Sequence, residues 1–392
     1  MKYNFDELIN RRGTDSVKYD MIPEKYQDEK YLSMWVADMD FRTPPFVIDA
    51  ITNRLKQGIL GYTIPSSHYY NTVSKWLKHR FDFDVKSEEL HYLPGIVPGI
   101  FHAIACFTKR GDKVMIQSPV YHPFRYVTIG SDRECISAPL KIADDGQMSI
   151  DFETIEEKIA DCSLFILCNP HNPGGKVWNE EDLKHLAHIC KKNNVLVVSD
   201  EIHADMTMAP FHHTPFAKTC EEARTNSITL MSPSKTFNIP GMVTSYAIVF
   251  EENLRKKFYD YINLNHVAMG NVFSCNVVEA CYSIEGENWL NQMLTYLKGN
   301  IDYVFNFLKK NCPKIGGMRP NASFLIFLDN RKLNLSQKEL VSFYNDEARV
   351  YINDGSIFGS QGNGFIRMNI AAPFSVVKQA MKQIKEAYDK RF

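Results

Sequence analysis

The sequence predicts an α/β protein, a large domain on a mostly parallel sheet joined to a smaller α+β domain. Three observations predict it. Short apolar runs rich in β-branched residues recur through the middle of the chain, most of them ending in turn residues, as strands buried on both faces do. An amphipathic helical segment lies between two of those runs, which makes the connection strand–helix–strand. Towards the C-terminus the pattern changes to isolated strands between long helices.

The first run is 114–117, bounded by Gly111-Asp112 and Ser118-Pro119. The second is 164–168, the third 195–199, the fourth 227–230 and the fifth 245–249. Between the second and third, Asn179 is placed as a helix N-cap with acidic residues in the first turn, and Leu183, Leu186, Ala187 and Cys190 share one face. Residues 288–310 read as a long connecting helix, and 324–328 and 364–370 as strands. A last helix over about 375–390 carries Val377, Ala380, Met381, Ile384 and Tyr388 as its apolar stripe. The expected division is a large domain of 46–285 and a small domain of 1–45 with 286–392, the N-terminal part being punctuated by Pro23, Pro44 and Pro45.

Composition narrows the function classes. Lys and Arg number 45 against 46 Asp and Glu, a formal net charge of -1, so no electrostatic footprint for nucleic acid or an anionic membrane is present. No stretch approaches the ~20 apolar residues of a membrane span. The opening MKYNFDELINRRGTDS lacks the apolar segment of a secretory signal. The nine cysteines are scattered, with no CxxC pair and no zinc spacing, and read as reduced, mostly buried thiols. The expectation is a cytoplasmic protein with no nucleic-acid, membrane or metal partner.

Chemistry-bearing residues cluster at predicted strand ends, where open α/β sheets place their sites. Ser232-Pro233-Ser234-Lys235-Thr236-Phe237-Asn238 follows the fourth strand; it offers an amine flanked by hydroxyls suited to phosphate oxygens. Asp200, in Ser199-Asp200-Glu201-Ile202-His203, ends the third strand, and a carboxylate there can keep a heteroaromatic nitrogen protonated. Cys168 to Gly175 contains two Asn-Pro pairs and two glycines, a sharply turned loop that presents the Asn172 amide. Pro94 to Ile100 leads into a helix, whose first N–H groups, at Ile96 and Val97, suit a phosphate. Tyr121 follows the first strand and can stack on a planar ring. Each of these has an ordinary reading alone: a loop lysine, a solvated acid, a plain turn, a packed aromatic.

Their order and strand-end placement, from Gly95 to Lys235, resemble the fold-type-I pyridoxal 5′-phosphate (PLP) enzymes of the aspartate aminotransferase superfamily, class I/II. Trp35-Val36-Ala37-Asp38-Met39-Asp40-Phe41, Gly61-Tyr62, the Asn169 to Gly175 loop, Asp200-Glu201-Ile202-His203 and Ser234 to Asn238 resemble the MalY/PatB branch, the cystathionine β-lyase-like carbon–sulfur lyases. Two departures from ordinary aminotransferases agree. His203 stands where they usually have tyrosine, and Met242-Val243 after Gly241 leaves out their phosphate-binding arginine.

The resemblance implies a seven-stranded large-domain sheet and a covalent link from Lys235 to PLP. It implies that Asp200 faces the ring nitrogen, Asn172 the ring oxygen and Tyr121 the ring face. The phosphate falls to Ile96, Val97, Ser232 and Ser234. Arg367 matches the substrate-carboxylate arginine, with Asn172, Trp35 and Asp38 lining the substrate pocket. Tyr62 reaches the phosphate of a neighbouring subunit, which implies a homodimer with a shared site. His203 bonds the ring oxygen or packs near it. The implied reaction is α,β-elimination from a sulfur amino acid such as cystathionine, cystine or another cysteine S-conjugate, releasing thiol, pyruvate and ammonia. Lys235 acts as base, and Lys235 or Tyr121 assists the departing sulfur. An aminotransferase uses the same groups up to proton removal. A regulatory protein on a PLP fold is the third reading, and the intact Lys235, Asp200, Asn172 and Arg367 argue against a dead enzyme.

Overall fold

Five buried apolar runs need partners on both edges, and one sheet supplies them. In a computed structural model describing residues 1–392, seven strands make the central sheet: β1 (Leu90–Leu93), β2 (Lys113–Ile116), β3 (Glu134–Ser137), β4 (Cys162–Cys168), β5 (Leu196–Asp200), β6 (Ser227–Met231) and β7 (Ser245–Ile248). Their order is β1-β7-β6-β5-β4-β2-β3. Only β7 runs opposite to the other six strands. All five predicted runs are strands of this sheet; β1 and β3 are additions, one at each edge.

The period of two in β4 divides the core. Leu164 and Ile166 pack with Val198, Ile228 and Leu230 on one face. Phe165 and Leu167 pack with Met115 and Val197 on the other. Helix α1 (Ile96–Phe107) covers the first face and α2 (Glu180–Lys192) the second. The predicted cap is present: the Asp182 N–H donates to Asn179 Oδ1 at 2.8 Å. Leu183, Leu186, Ala187 and Cys190 are all buried.

Helix α3 (Ile284–Asn311) then leads to a three-stranded antiparallel sheet of β8 (Leu325–Asp329), β9 (Asn353–Asp354) and β10 (Phe365–Asn369), ordered β8-β10-β9. Helix α4 (Phe374–Arg391) closes the chain. The α3 residue Asn300 is buried and donates to the Ile370 and Ala372 carbonyls at 3.0 Å each, which ties the long helix to the end of β10. Leu32–Ser33 pairs in parallel with Val350–Tyr351, so the N-terminal segment lies beside this second sheet. The cysteines are unpaired. No helix is long and apolar enough to cross a membrane.

Candidate active site

The C-terminal ends of β2, β4, β5 and β6 meet in one crevice; Asp200 is the last residue of β5, and Tyr121, Asn172 and Lys235 follow the other three strands. From the other side, β10 brings Arg367 and the N-terminal strap 35–41 brings backbone carbonyls. A cavity of about 960 Å³ opens at Lys235, with Val36, Ala37, Asp38 and Met242 in its walls.

Lys235 Nζ donates to the Ala37 carbonyl at 2.7 Å. Burial lowers its pKa to about 8; Asp38 and Asp200 oppose this, and the Arg367 charge adds to it. Asp200 is buried, and its carboxylate takes one hydrogen bond, from the Ile202 N–H at 3.1 Å. Burial pushes its pKa up to about 7, helped by the Glu201 charge and opposed by the Ile202 bond and by Lys235. No cation pairs with it.

Arg367 sits mid-strand in β10 at 3% exposure. Its Nη1 donates to Asn172 Oδ1 at 3.1 Å, and its Nη2 to the Trp35 carbonyl at 3.1 Å and to Asn353 Oδ1 at 2.6 Å. The guanidinium lies 4.9 Å over the Phe358 ring. Its buried Nε has no partner. Burial lowers its pKa to about 10, so it stays charged at neutral pH with no carboxylate against it. Because arginine only donates, Asn172 turns its oxygen to Arg367 and keeps Nδ2 free.

The Ser232 hydroxyl is within bonding distance of Ser234 Oγ (2.8 Å) and the Thr244 carbonyl (2.7 Å), and the Ser234 N–H reaches it at 3.0 Å. At the start of α1 the Ile96 and Val97 N–H groups have no backbone acceptor, and Pro98 has no N–H at all. Tyr121 has a hydroxyl without a hydrogen bond and a pKa raised by burial. His203 is buried with Nδ1 unpartnered; burial holds its pKa near about 3, so the ring is neutral.

Asp38 borders the cavity, but its carboxylate is held by Arg11 at 3.1 and 2.6 Å and is a paired charge. Trp35 contributes its carbonyl, while its indole N–H donates to the Lys18 carbonyl at 3.0 Å. Tyr62 stands apart from this group at 96% exposure. Sequence reasoning missed Asn353, Phe358 and the Ala37 carbonyl; no local motif marks the first two, and Ala37, though inside the Trp35 to Phe41 motif, acts through its backbone.

A buried acid without a cation, helix N–H groups without an anion and a lysine amine beside them form the donor set that PLP needs. Its ring nitrogen is a cation when protonated, its phosphate an anion and its aldehyde the partner of an amine. The residues present therefore fit the cofactor.

Comparison with known proteins agrees. Residues 29–384 match the model of the family "Aminotransferase class I and II". Cystathionine beta-lyase PatB of Bacillus subtilis is 39% identical across 98% of this chain and 99% of its own length. A PLP-bound, provisionally assigned aminotransferase from Clostridium difficile 630 superposes with a TM-score of 0.95 at 41% identity, covering 99% of this chain and 100% of its own. The PLP-bound C–S lyase of Staphylococcus hominis gives a TM-score of 0.91 at 35% identity, with both chains fully covered. The chain thus belongs to the aminotransferase class I and II family of PLP-dependent enzymes, in the MalY/PatB branch.

Proposed function

We propose that this enzyme is a carbon–sulfur β-lyase of the cystathionine β-lyase type, cleaving a cysteine thioether to thiol, pyruvate and ammonia. The full-length likeness to PatB carries the reaction type, and the site supplies the groups.

Lys235 would hold PLP covalently, with Asp200 at the ring nitrogen and Tyr121 on the ring face. Asn172 Nδ2 and the neutral His203 are the candidates for the ring oxygen. Ile96, Val97, Ser232 and Ser234 would take the phosphate. Bound PLP supplies an electron sink for the pair left at Cα when a proton departs.

The protein's own part begins with Arg367. Its fork binds the α-carboxylate and turns the Cα–H bond towards Lys235. With a pKa near about 8, the freed Lys235 amine is partly neutral at mildly alkaline pH and takes the Cα proton. The electron pair closes the Cα–Cβ double bond as the C–S bond breaks and sulfur leaves as thiolate. A proton from Lys235 or from the Tyr121 hydroxyl quenches it. Released aminoacrylate takes up water and yields pyruvate and ammonia.

The decisive assay mixes purified enzyme with cystathionine and follows pyruvate and free thiol, with and without a 2-oxo acid acceptor. Equal yields of both products, independent of acceptor, are expected. Turnover that needs the acceptor and releases no thiol assigns an aminotransferase instead, the reading that the Clostridium likeness favours.

The working assembly is proposed as a homodimer, with Tyr62 serving the partner's site. Exposure of Ile59 (73%), Leu60 (65%), Tyr62 (96%) and Ile64 (77%) along one short segment supports this. Residues 46–285 are proposed as the large domain, with 1–45 and 286–392 as the small one.

A further inference from the structure

Four charges without a role in the proposed reaction pack together, Asp38 and Asp40 on the strap at residues 35–41 and Arg11 and Lys18 against it. Lys18 Nζ donates to Asp40 Oδ2 at 2.7 Å and to the Asp38 carbonyl at 3.3 Å, and lies 3.9 Å from Asp38 Oδ1. Arg11 grips Asp38 through both Nη atoms and also reaches Asp40 Oδ1 at 3.0 Å and the Met39 carbonyl at 3.2 Å. Lys18 has 1% of its side chain exposed, a degree of burial that lysine tolerates only when paired. Buried ion pairs are a poor source of stability, since apolar replacements of similar volume do as well.

The quartet acts on geometry. It clamps residues 38 and 40, and two carbonyls earlier in the same strap meet the two cations of the site. Trp35 O accepts from Arg367 Nη2 at 3.1 Å, and Ala37 O accepts from Lys235 Nζ at 2.7 Å. Lys18 also takes the Trp35 indole N–H on its own carbonyl at 3.0 Å. Two asparagines hold the strap as well: Asn369 Nδ2 donates to the Val36 and Asp38 carbonyls at 2.6 Å each, and Asn238 Nδ2 to the Met39 carbonyl at 3.0 Å.

We propose that the Arg11–Lys18–Asp38–Asp40 quartet is a positioning device for the Lys235 amine, holding the Ala37 carbonyl where it takes one amine N–H and so aims the lone pair at substrate Cα. The inference rests on Lys235 being the base. A neutral primary amine carries two N–H bonds and one lone pair on a freely turning Cε–Nζ bond. Fixing one N–H fixes the other two directions. No substitution at residue 37 removes a backbone carbonyl, so the device is reached through the side chains that clamp the strap.

The test uses PLP-loaded enzyme and L-alanine in D2O, with loss of the Cα proton followed by proton NMR. Alanine has no sulfur to expel, so the exchange reads proton transfer alone, while pyruvate release from cystathionine by wild-type enzyme separately tests the lyase reading. The paired variant Lys18→Met with Asp40→Asn removes an ion pair without leaving a lone charge. Its exchange kcat is expected to fall on the order of 10- to 100-fold, the scale of a small misplacement of a reacting group, with KM, cofactor absorbance and melting temperature kept. Lys18→Arg is expected to retain exchange. If the paired variant does not fold, Arg11→Gln, at a part-exposed side chain, gives a smaller fall in the same direction. Unchanged exchange in the folded variants overturns the proposal, as does a loss matched by cofactor release or confined to KM. Absence of exchange in the wild type removes Lys235 as base, and the proposal with it.

Discussion

The Asp200 carboxylate is buried with one N–H donor and no cation, and its pKa moves from an ordinary 3.8 to about 7. The folded, cofactor-free protein therefore holds that proton more tightly than the unfolded chain. The Asp200 contribution to stability is intact below about pH 4 and is lost as pH rises towards about 7, about 4 kcal/mol. A cationic ring nitrogen placed against Asp200 removes that penalty. Asp200→Asn should accordingly flatten the pH dependence of the apoenzyme's melting temperature, and stabilise it at pH 8 more than at pH 5. In the loaded enzyme the same change should lower kcat by about 10²-fold or more, as loss of a preorganised charge does. Melts of both apoproteins at the two pH values, with kcat of the loaded forms, check this; parallel melting curves would remove Asp200 from the ring nitrogen. Arg367 is the complementary case, a buried cation without an anion. Arg367→Lys keeps the charge but loses the planar fork, so kcat/KM should drop by about 10²-fold, mainly through KM. Steady-state kinetics that leave KM untouched would contradict the carboxylate assignment.

Helix α1 meets the site through its end. Its first N–H groups point out of the helix and have no acceptor in the chain, which makes them available to an anion. Ile96→Pro at the first helical position removes one such N–H where proline's fixed φ is compatible with a helix start. The PLP dissociation constant should rise about 10- to 100-fold, the worth of a hydrogen bond to a charged group. The lost Ile96 packing should lower the melting temperature of apo and loaded forms alike. Cofactor release on dialysis, followed by absorbance, measures the first effect; unchanged retention would place the phosphate elsewhere. The same elements show why some of the architecture was legible and some was not. The five interior strands are continuous apolar runs because both faces are covered. Leu90-His91-Tyr92-Leu93 and Glu134-Cys135-Ile136-Ser137 are four-residue edge strands with polar residues interleaved, and β3 is only partly buried. Edge strands take their pairing from a neighbour, so their own residues carry little periodic signal. In the site, Lys235, Asp200 and Asn172 each sit in a strand-end motif of their own. Asn353 sits in the two-residue strand β9 and Phe358 in the single helical turn after it, segments too short to carry a periodic signal, and Ala37 acts through a carbonyl that any residue could supply.

At the scale of the whole molecule, the exposed segment around Tyr62 and the absence of an arginine from Met242-Val243, directly after Gly241, bear on one question, which is what completes the phosphate site. The donors proposed for it from the chain itself, the Ile96 and Val97 N–H groups and the Ser232 and Ser234 hydroxyls, are all uncharged. A phenol supplied across a dimer interface adds a donor without adding a charge, and it would put the apolar neighbours Ile59, Leu60 and Ile64 against a second copy. An isologous dimer places two such segments symmetrically, so each site draws on both chains. Complementation distinguishes this from a site confined to one chain. Lys235→Ala and Tyr62→Ala enzymes should each be strongly impaired, the first having no amine and the second a weakened cofactor hold. After unfolding and refolding together in equal amounts, about half of the dimers are hybrids, and each hybrid has one site with Lys235 from one chain and Tyr62 from the other. That mixture should recover about a quarter of wild-type activity at limiting PLP, since half of the dimers carry one intact site of two. If Tyr62 serves its own chain, every hybrid site lacks one of the two groups and mixing restores nothing. Size-exclusion chromatography of each variant alone keeps the result interpretable, because both must still elute as dimers for the comparison to hold.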